Sequence, residues 1–136
     1  MQATTFKHAL TALGVAMTFT LASHASAMTR DEYKAAEDRV EAEYKADKQR
    51  CDGLAGNAKD VCQSEAKGKE KVAKAELEAQ YKPGAKATAK VAEAKADAAY
   101  DTAKQKCDAL AGNTKDVCMK DAKAAHVAAM ADAKRS

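Results

Sequence analysis

The sequence predicts an all-α protein: two tandem antiparallel helical hairpins, four helices in all, each clipped by a disulfide near its turn. Three observations predict this. The composition favours helix, a motif is duplicated, and each copy places two cysteines symmetrically about a Gly-Asn pair. Hydrophobic residues make up 46% of the 136, but much of that fraction is alanine. There is no Trp and no Ile, and both Phe residues, Phe6 and Phe19, lie in the first twenty positions. Such a chain has too few large apolar residues for an α/β core, and too few β-branched and aromatic residues for a sheet protein.

Residues 1–27 have the features of a secretory signal peptide. Lys7 supplies a positive start, and no acid precedes Asp31. An apolar run extends from Ala9 to about Ala22, shorter than the ~20 residues a membrane span needs. It ends at Ala25-Ser26-Ala27, the small-x-small pattern that a signal peptidase accepts. Cleavage after Ala27 is expected, leaving no integral membrane segment and a periplasmic or secreted chain. All 20 acids and 22 of the 23 Lys and Arg residues follow that point, so the remaining chain carries +2. Alanine fills 28 of its 109 positions.

That remainder is a duplication. Lys48–Cys62 reads KQRCDGLAGNAKDVC and Lys104–Cys118 reads KQKCDALAGNTKDVC. Twelve of the fifteen positions match, at a constant offset of 56. Between the copies stand Pro83 and Gly84, a helix-breaking pair. The units are therefore 28–82 and 85–136, with a hinge at 83–84. The sequence leaves open whether the two hairpins pack together or swing about that hinge.

Within the first unit, Tyr33, Val40, Tyr44, Cys51 and Leu54 form one helical stripe. Acids and bases lie between them, suited to an exposed face. Gly56 suits the C′ position that ends the first helix with a left-handed backbone. Asn57 then suits the N-cap of the next helix, with Asp60 at N3 near its positive pole. Gly112, Asn113 and Asp116 repeat the arrangement. Lys-, Ala- and Glu-rich flanks favour a helix–helix turn over a β-hairpin.

Cys51 and Cys62 are equidistant from the Gly-Asn pair, as are Cys107 and Cys118. A reversal there brings each pair to matching heights, within the ~7 Å between Cα atoms that a disulfide requires. Four cysteines allow three pairings. Cys51–Cys62 with Cys107–Cys118 is favoured, because each unit then closes its own bridge. An oxidising compartment agrees with an even cysteine count.

Other chemistry finds little support. Zinc motifs space paired ligands two to four residues apart, whereas ten residues separate the cysteines here. His126 is the one histidine after residue 27, and no Cys-x-x-Cys is present. Neither a metal site nor a cofactor is expected. Asp52 and Asp108 follow cysteines at helix C-termini, an unfavourable place for a negative charge. A lysine across the turn, or the partner helix's N-terminus, would satisfy each. Interleaved charges and scarce aromatics argue against nucleic-acid binding. Tyr33, Tyr44, Tyr81 and Tyr100 are expected to pack on neighbouring helices rather than form a recognition surface.

The duplicated CDxLAGNxKDVC motif, behind a signal peptide and within Ala/Lys/Glu helices, resembles a group of small uncharacterised exported proteobacterial proteins. Members are sometimes labelled TolA-like or cell-envelope biogenesis proteins. The resemblance implies a role in the envelope and carries over no catalytic residues. The function expected is non-enzymatic: a structural, stress-related or interaction protein, with envelope proteins or its own copies as partners. A disulfide-based redox-responsive protein is the alternative, and a metal-binding protein ranks below it. The sequence specifies no small-molecule ligand.

Overall fold

A computed structural model describes residues 28–135. The signal segment, with Ala25 and Ala27, lies outside the described residues. Four helices follow in order: α1 (Arg30–Cys51), α2 (Gly56–Tyr81), α3 (Ala85–Asp108) and α4 (Gly112–Ala133). Among the described residues there is no strand, and no helix is long and apolar enough to cross a membrane.

Each helix begins and ends for an identifiable reason. Thr29 and Glu32 form a capping box at the start of α1. The Glu32 N–H donates to Thr29 Oγ1 at 3.3 Å, and the Thr29 N–H donates to Glu32 Oε2 at 2.8 Å. Those bonds satisfy two donors that a helix start leaves unpaired. The Thr29 N–H and, after it, the Thr29 hydroxyl, which also donates to Glu32 Oε2 at 2.8 Å, hold the Glu32 carboxyl below its ordinary pKa. The Thr-x-x-Glu spacing is legible in the sequence, although the hydropathy stripe does not include it.

At the other end, α1 stops at Cys51, and the Leu54 N–H donates to the Cys51 carbonyl at 3.0 Å to close the turn. Gly56 has φ +56°, the left-handed conformation expected of it, and so does Gly112. Their places differ from expectation. Gly56 is the first residue of α2 rather than the residue that ends α1, because α1 terminates four residues before Ala55. Asn57 consequently falls inside α2, and Asn113 inside α4. Ala55 and Ala111 occupy the N-caps and make no side-chain cap. Asp60 and Asp116 lie beyond the first turn of their helices, which contains no acid.

Pro83 ends α2. A proline excludes the helical conformation from the residue before it, and Lys82 has φ −131° and ψ 76°. The chain then reverses, and the Gly84 carbonyl accepts from Ala87 and Thr88 at 2.9 and 3.0 Å as α3 begins.

The helices pack in series. Among the described residues α1 packs on α2, α2 on α3 and α3 on α4, and no other pair is in contact. The central α2–α3 interface is the most extensive, so the segments either side of Pro83-Gly84 lie against one another. Its seam is made of small residues. Gly68 is buried, and a Cβ placed on it would stand 2.8 Å from the Ala98 Cβ. Elsewhere in α2 and α3, Ala66, Leu77, Ala87, Ala94 and Ala96 are buried. Alanine and glycine contribute little apolar area per residue, but they let helix backbones approach closely. The α1 stripe behaves as expected at Tyr33, Val40 and Tyr44, which are half-buried, and at Cys51, which is fully buried. Leu54 departs from it, being 44% exposed in the turn.

Candidate functional site

Two features combine chemistry with position: the clipped turns, and a polar cluster that joins three helices.

Each turn carries one disulfide, Cys51–Cys62 and Cys107–Cys118, with Cα atoms 5.6 Å apart in both. Among the described residues no cysteine is free. The pairing is the one that closes each unit separately. Among the described residues Cys51 and Cys107 are the largest fully buried side chains, so the bridges stand where a large hydrophobe would stand in a conventional core. Beside each bridge a lysine reaches back across the turn. Lys59 pairs with Asp52 at 3.2 Å and Lys115 with Asp108 at 2.8 Å. These contacts answer the unfavourable placement of the two acids at helix C-termini.

The grooves alongside the bridges are repeats of one another that have diverged. In the first, Asp47 binds Arg50 and, at 3.1 Å, Lys69. In the second, Ala103 and Ala125 occupy the places of Asp47 and Lys69, and Leu110 and Val117 line the opening. The first groove thus carries an ion pair where the second has two alanines, while Lys106 and Asp121 keep the charges of Arg50 and Glu65.

The polar cluster centres on Asp97 of α3. Its Oδ2 accepts from Lys71 Nζ of α2 at 2.5 Å, and its Oδ1 lies 2.7 Å from His126 Nε2 of α4. The His126 ring stacks on Tyr100 with centroids 4.6 Å apart, and Lys104 Nζ lies 5.0 Å from the Tyr100 centroid. Hydrogen bonds from Lys71 and His126 hold the Asp97 carboxyl below its ordinary value of 3.8, Lys71 being the larger cause. An ionised carboxylate only accepts, so His126 Nε2 carries the proton between them. Tyr33 and Tyr81 pack across α1 and α2, with ring centroids 4.5 Å apart. Three of the four tyrosines thus serve ring packing of the kind expected, and the fourth, Tyr44, has Lys48 Nζ 5.5 Å from its centroid.

Two further bonds fix the register of α2 on α3. Asn57 Nδ2 donates to the Gln105 carbonyl at 2.6 Å, and the hydroxyls of Ser64 and Thr102 stand 3.4 Å apart. The Asn57 amide is therefore engaged in a tertiary contact, which explains its absence from the helix cap.

Replacing Asp97 by Asn should lower stability by about 1 kcal/mol at neutral pH, since it removes charge-assisted bonds from a partly exposed site. A urea midpoint measures this. The pH dependence has a definite sign. The folded-state pKa of Asp97 is depressed, so its contribution is present above the ordinary carboxylate value and lost as pH falls through the depressed one. Glu32, Glu41 and Glu78 are shifted in the same direction by Thr29, Lys45 and Lys90. The midpoint should therefore fall on acidification below about pH 4, and Asp97→Asn should flatten that fall. An unchanged acid limb in the variant would contradict the assignment.

Among the described residues no group of three or more His, Cys, Asp or Glu side chains is arranged to hold a metal ion. No family model matches the chain, and neither a curated protein nor a solved structure matches it.

Proposed function

We propose that the protein is exported and works without catalysis, as a structural or interaction protein of the periplasm or cell envelope. The observation that carries this reading is the pair of identical disulfide-clipped turns, Cys51–Cys62 and Cys107–Cys118. Such bridges persist in oxidising compartments outside the cytosol. A thin seam of glycine and alanine makes the fold depend on them. Export is further supported by the N-terminal segment ending Ala25-Ser26-Ala27, and an envelope role by the resemblance of the duplicated motif to small exported proteobacterial proteins. Charged outer helix faces and paired repeats suit contact with other proteins, including stress-related partners.

The test is fractionation of cells expressing the full chain, with N-terminal sequencing and thiol counting of the product. The expected product begins at Met28, lies in the periplasmic fraction or medium, and has no free thiol. A cytosolic product with an intact N-terminus and four thiols would overturn the reading. Cross-linking in intact cells then identifies partners.

One observation favours a second, redox-responsive reading. Cys62 and Cys118 are half-buried rather than fully buried, leaving a side from which a thiolate could approach. Reduction potentials below about −300 mV, typical of structural bridges, would exclude it.

A further inference from the structure

We propose that copies of this chain associate head to tail, the outer face of α4 in one copy packing on the outer face of α1 in the next. The register is the one α2 and α3 already use within the chain.

The internal duplication supplies the template. Moving the α2–α3 interface along by 56 positions carries α2 onto α4 and α3 back onto α1. The face of α2 that meets α3 includes Asn57, Ser64, Gly68 and Lys71. Its counterpart on α4 is Asn113, Lys120, Ala124 and Val127, all exposed, Val127 to 60%. The face of α3 that meets α2 includes Gln105, Thr102, Ala98 and Asp97. Its counterpart on α1 is Gln49, Ala46, Ala42 and Glu41, again all exposed. Among the described residues neither outer face has a neighbouring helix.

Specific contacts survive the shift. Asn113 stands to Gln49 of the next copy as Asn57 stands to Gln105, so the same side-chain-to-carbonyl bond can form. At the point of closest approach, Gly68 against Ala98 becomes Ala124 against Ala42, small against small. The bordering ion pairs keep their signs. Glu65–Lys106, at 3.1 Å within the chain, becomes Asp121–Arg50 between chains. Glu76–Lys95, at 2.7 Å, becomes Asp132–Arg39. In both, the shorter acid is matched by the longer base, which preserves reach. Arg50 and Asp132 have local partners in Asp47 and Arg135; Asp47 keeps its pair with Lys69 when Arg50 turns outward, and the exposed Asp132–Arg135 pair exchanges at little cost.

Other positions make the contact weaker than its template. Lys71–Asp97 becomes Val127–Glu41, and Glu78–Lys90 becomes Lys134 against Lys34, like charges near the helix ends. Ala124 adds a methyl group where Gly68 has none, so the helix axes stand further apart. No peptide links the partners, so association carries the usual entropic cost. The contact is therefore concentration-dependent. It is also heterologous, joining two different faces, and so extends to a series rather than stopping at a dimer unless the rotation closes.

The proposal is independent of the compartment, because it is tested on purified protein. Sedimentation of protein isolated from cells expressing the full chain should show a mass that rises with concentration beyond the dimer or to a closed ring. Ala124→Glu should block the α4 face and Ala42→Glu the α1 face, each weakening self-association by about tenfold or more with helicity unchanged. A mixture of the two variants retains one intact face of each kind and should form a dimer that grows no further. Asp121→Arg should weaken association, and adding Arg50→Asp should restore it. A monomer at every concentration would overturn the proposal. So would Ala42→Glu associating as well as the unmodified chain, which would indicate a symmetric α4–α4 dimer.

Discussion

Reduction of both disulfides is expected to release α1 and α4 while α2 and α3 remain paired. The series packing determines this order. Among the described residues α1 packs only on α2 and α4 only on α3, whereas the inner helices have the extensive α2–α3 interface as well. Each bridge closes a short loop, with a sequence separation of 11. By chain-entropy reasoning such a bridge contributes about 2–3 kcal/mol. That is a large share of the stability of a chain with so little apolar area to bury. Helices in proteins owe most of their stability to tertiary packing, so an outer helix with a single partner frays from it when its clip is lost. The check is amide hydrogen exchange with and without reductant. Protection should fall across 30–51 and 112–133 and persist across the middle of α2 and α3. The Cys51→Ala/Cys62→Ala variant should affect α1 selectively, and the Cys107→Ala/Cys118→Ala variant α4. Uniform loss of protection would show that the four helices melt as one unit.

Substitution of Gly68 is expected to give the largest effect of any single change on the inner pair. Two effects oppose one another at this site. Alanine in a helix interior is favoured over glycine by about 1 kcal/mol. The new methyl would however meet the Ala98 Cβ at 2.8 Å, and a Cβ cannot turn aside by changing rotamer. Overpacking of this kind costs about 1–3 kcal/mol. Gly68→Ala should therefore be destabilising despite its better propensity, and Gly68→Val more so. Pairing Gly68→Ala with Ala98→Gly restores space at the crossing. The double variant should lose less stability than the sum of the two single losses, which denaturation midpoints of all four proteins would show. A stabilised Gly68→Ala would mean that the crossing opens without cost.

The disulfide pairing was legible because it depends on local symmetry about Gly56-Asn57 and Gly112-Asn113. The left-handed backbone at Gly56 and Gly112 was legible too, but not which helix each belongs to. That depends on where α1 and α3 stop, and both stop before the Leu of the motif. Asn57 shows the limit of local rules. Its sequence context suits a cap, yet its amide bonds the Gln105 carbonyl, 48 residues away. The α2–α3 seam was hidden for another reason. Gly68 and Ala98 raise no hydropathy stripe, because their use lies in backbone approach rather than buried area. Asp97 looked like any acid alternating with lysine, and its distinction arises only when Lys71 and His126 arrive from two other helices.

The locality of these contacts also bears on how the bridges form during oxidation. The native partners are 11 positions apart, whereas the nearest wrong pairing, Cys62 with Cys107, spans 45 positions. Loop-closure entropy alone favours the shorter encounter by about 1 kcal/mol, before any helix has formed. Helix growth then strengthens the bias, since contacts between sequence neighbours form early in low-contact-order chains. The duplication that places four chemically similar thiols in one chain thus also keeps them from being confused with one another. Correct oxidation becomes the kinetically nearest outcome, with little need for later reshuffling of bridges.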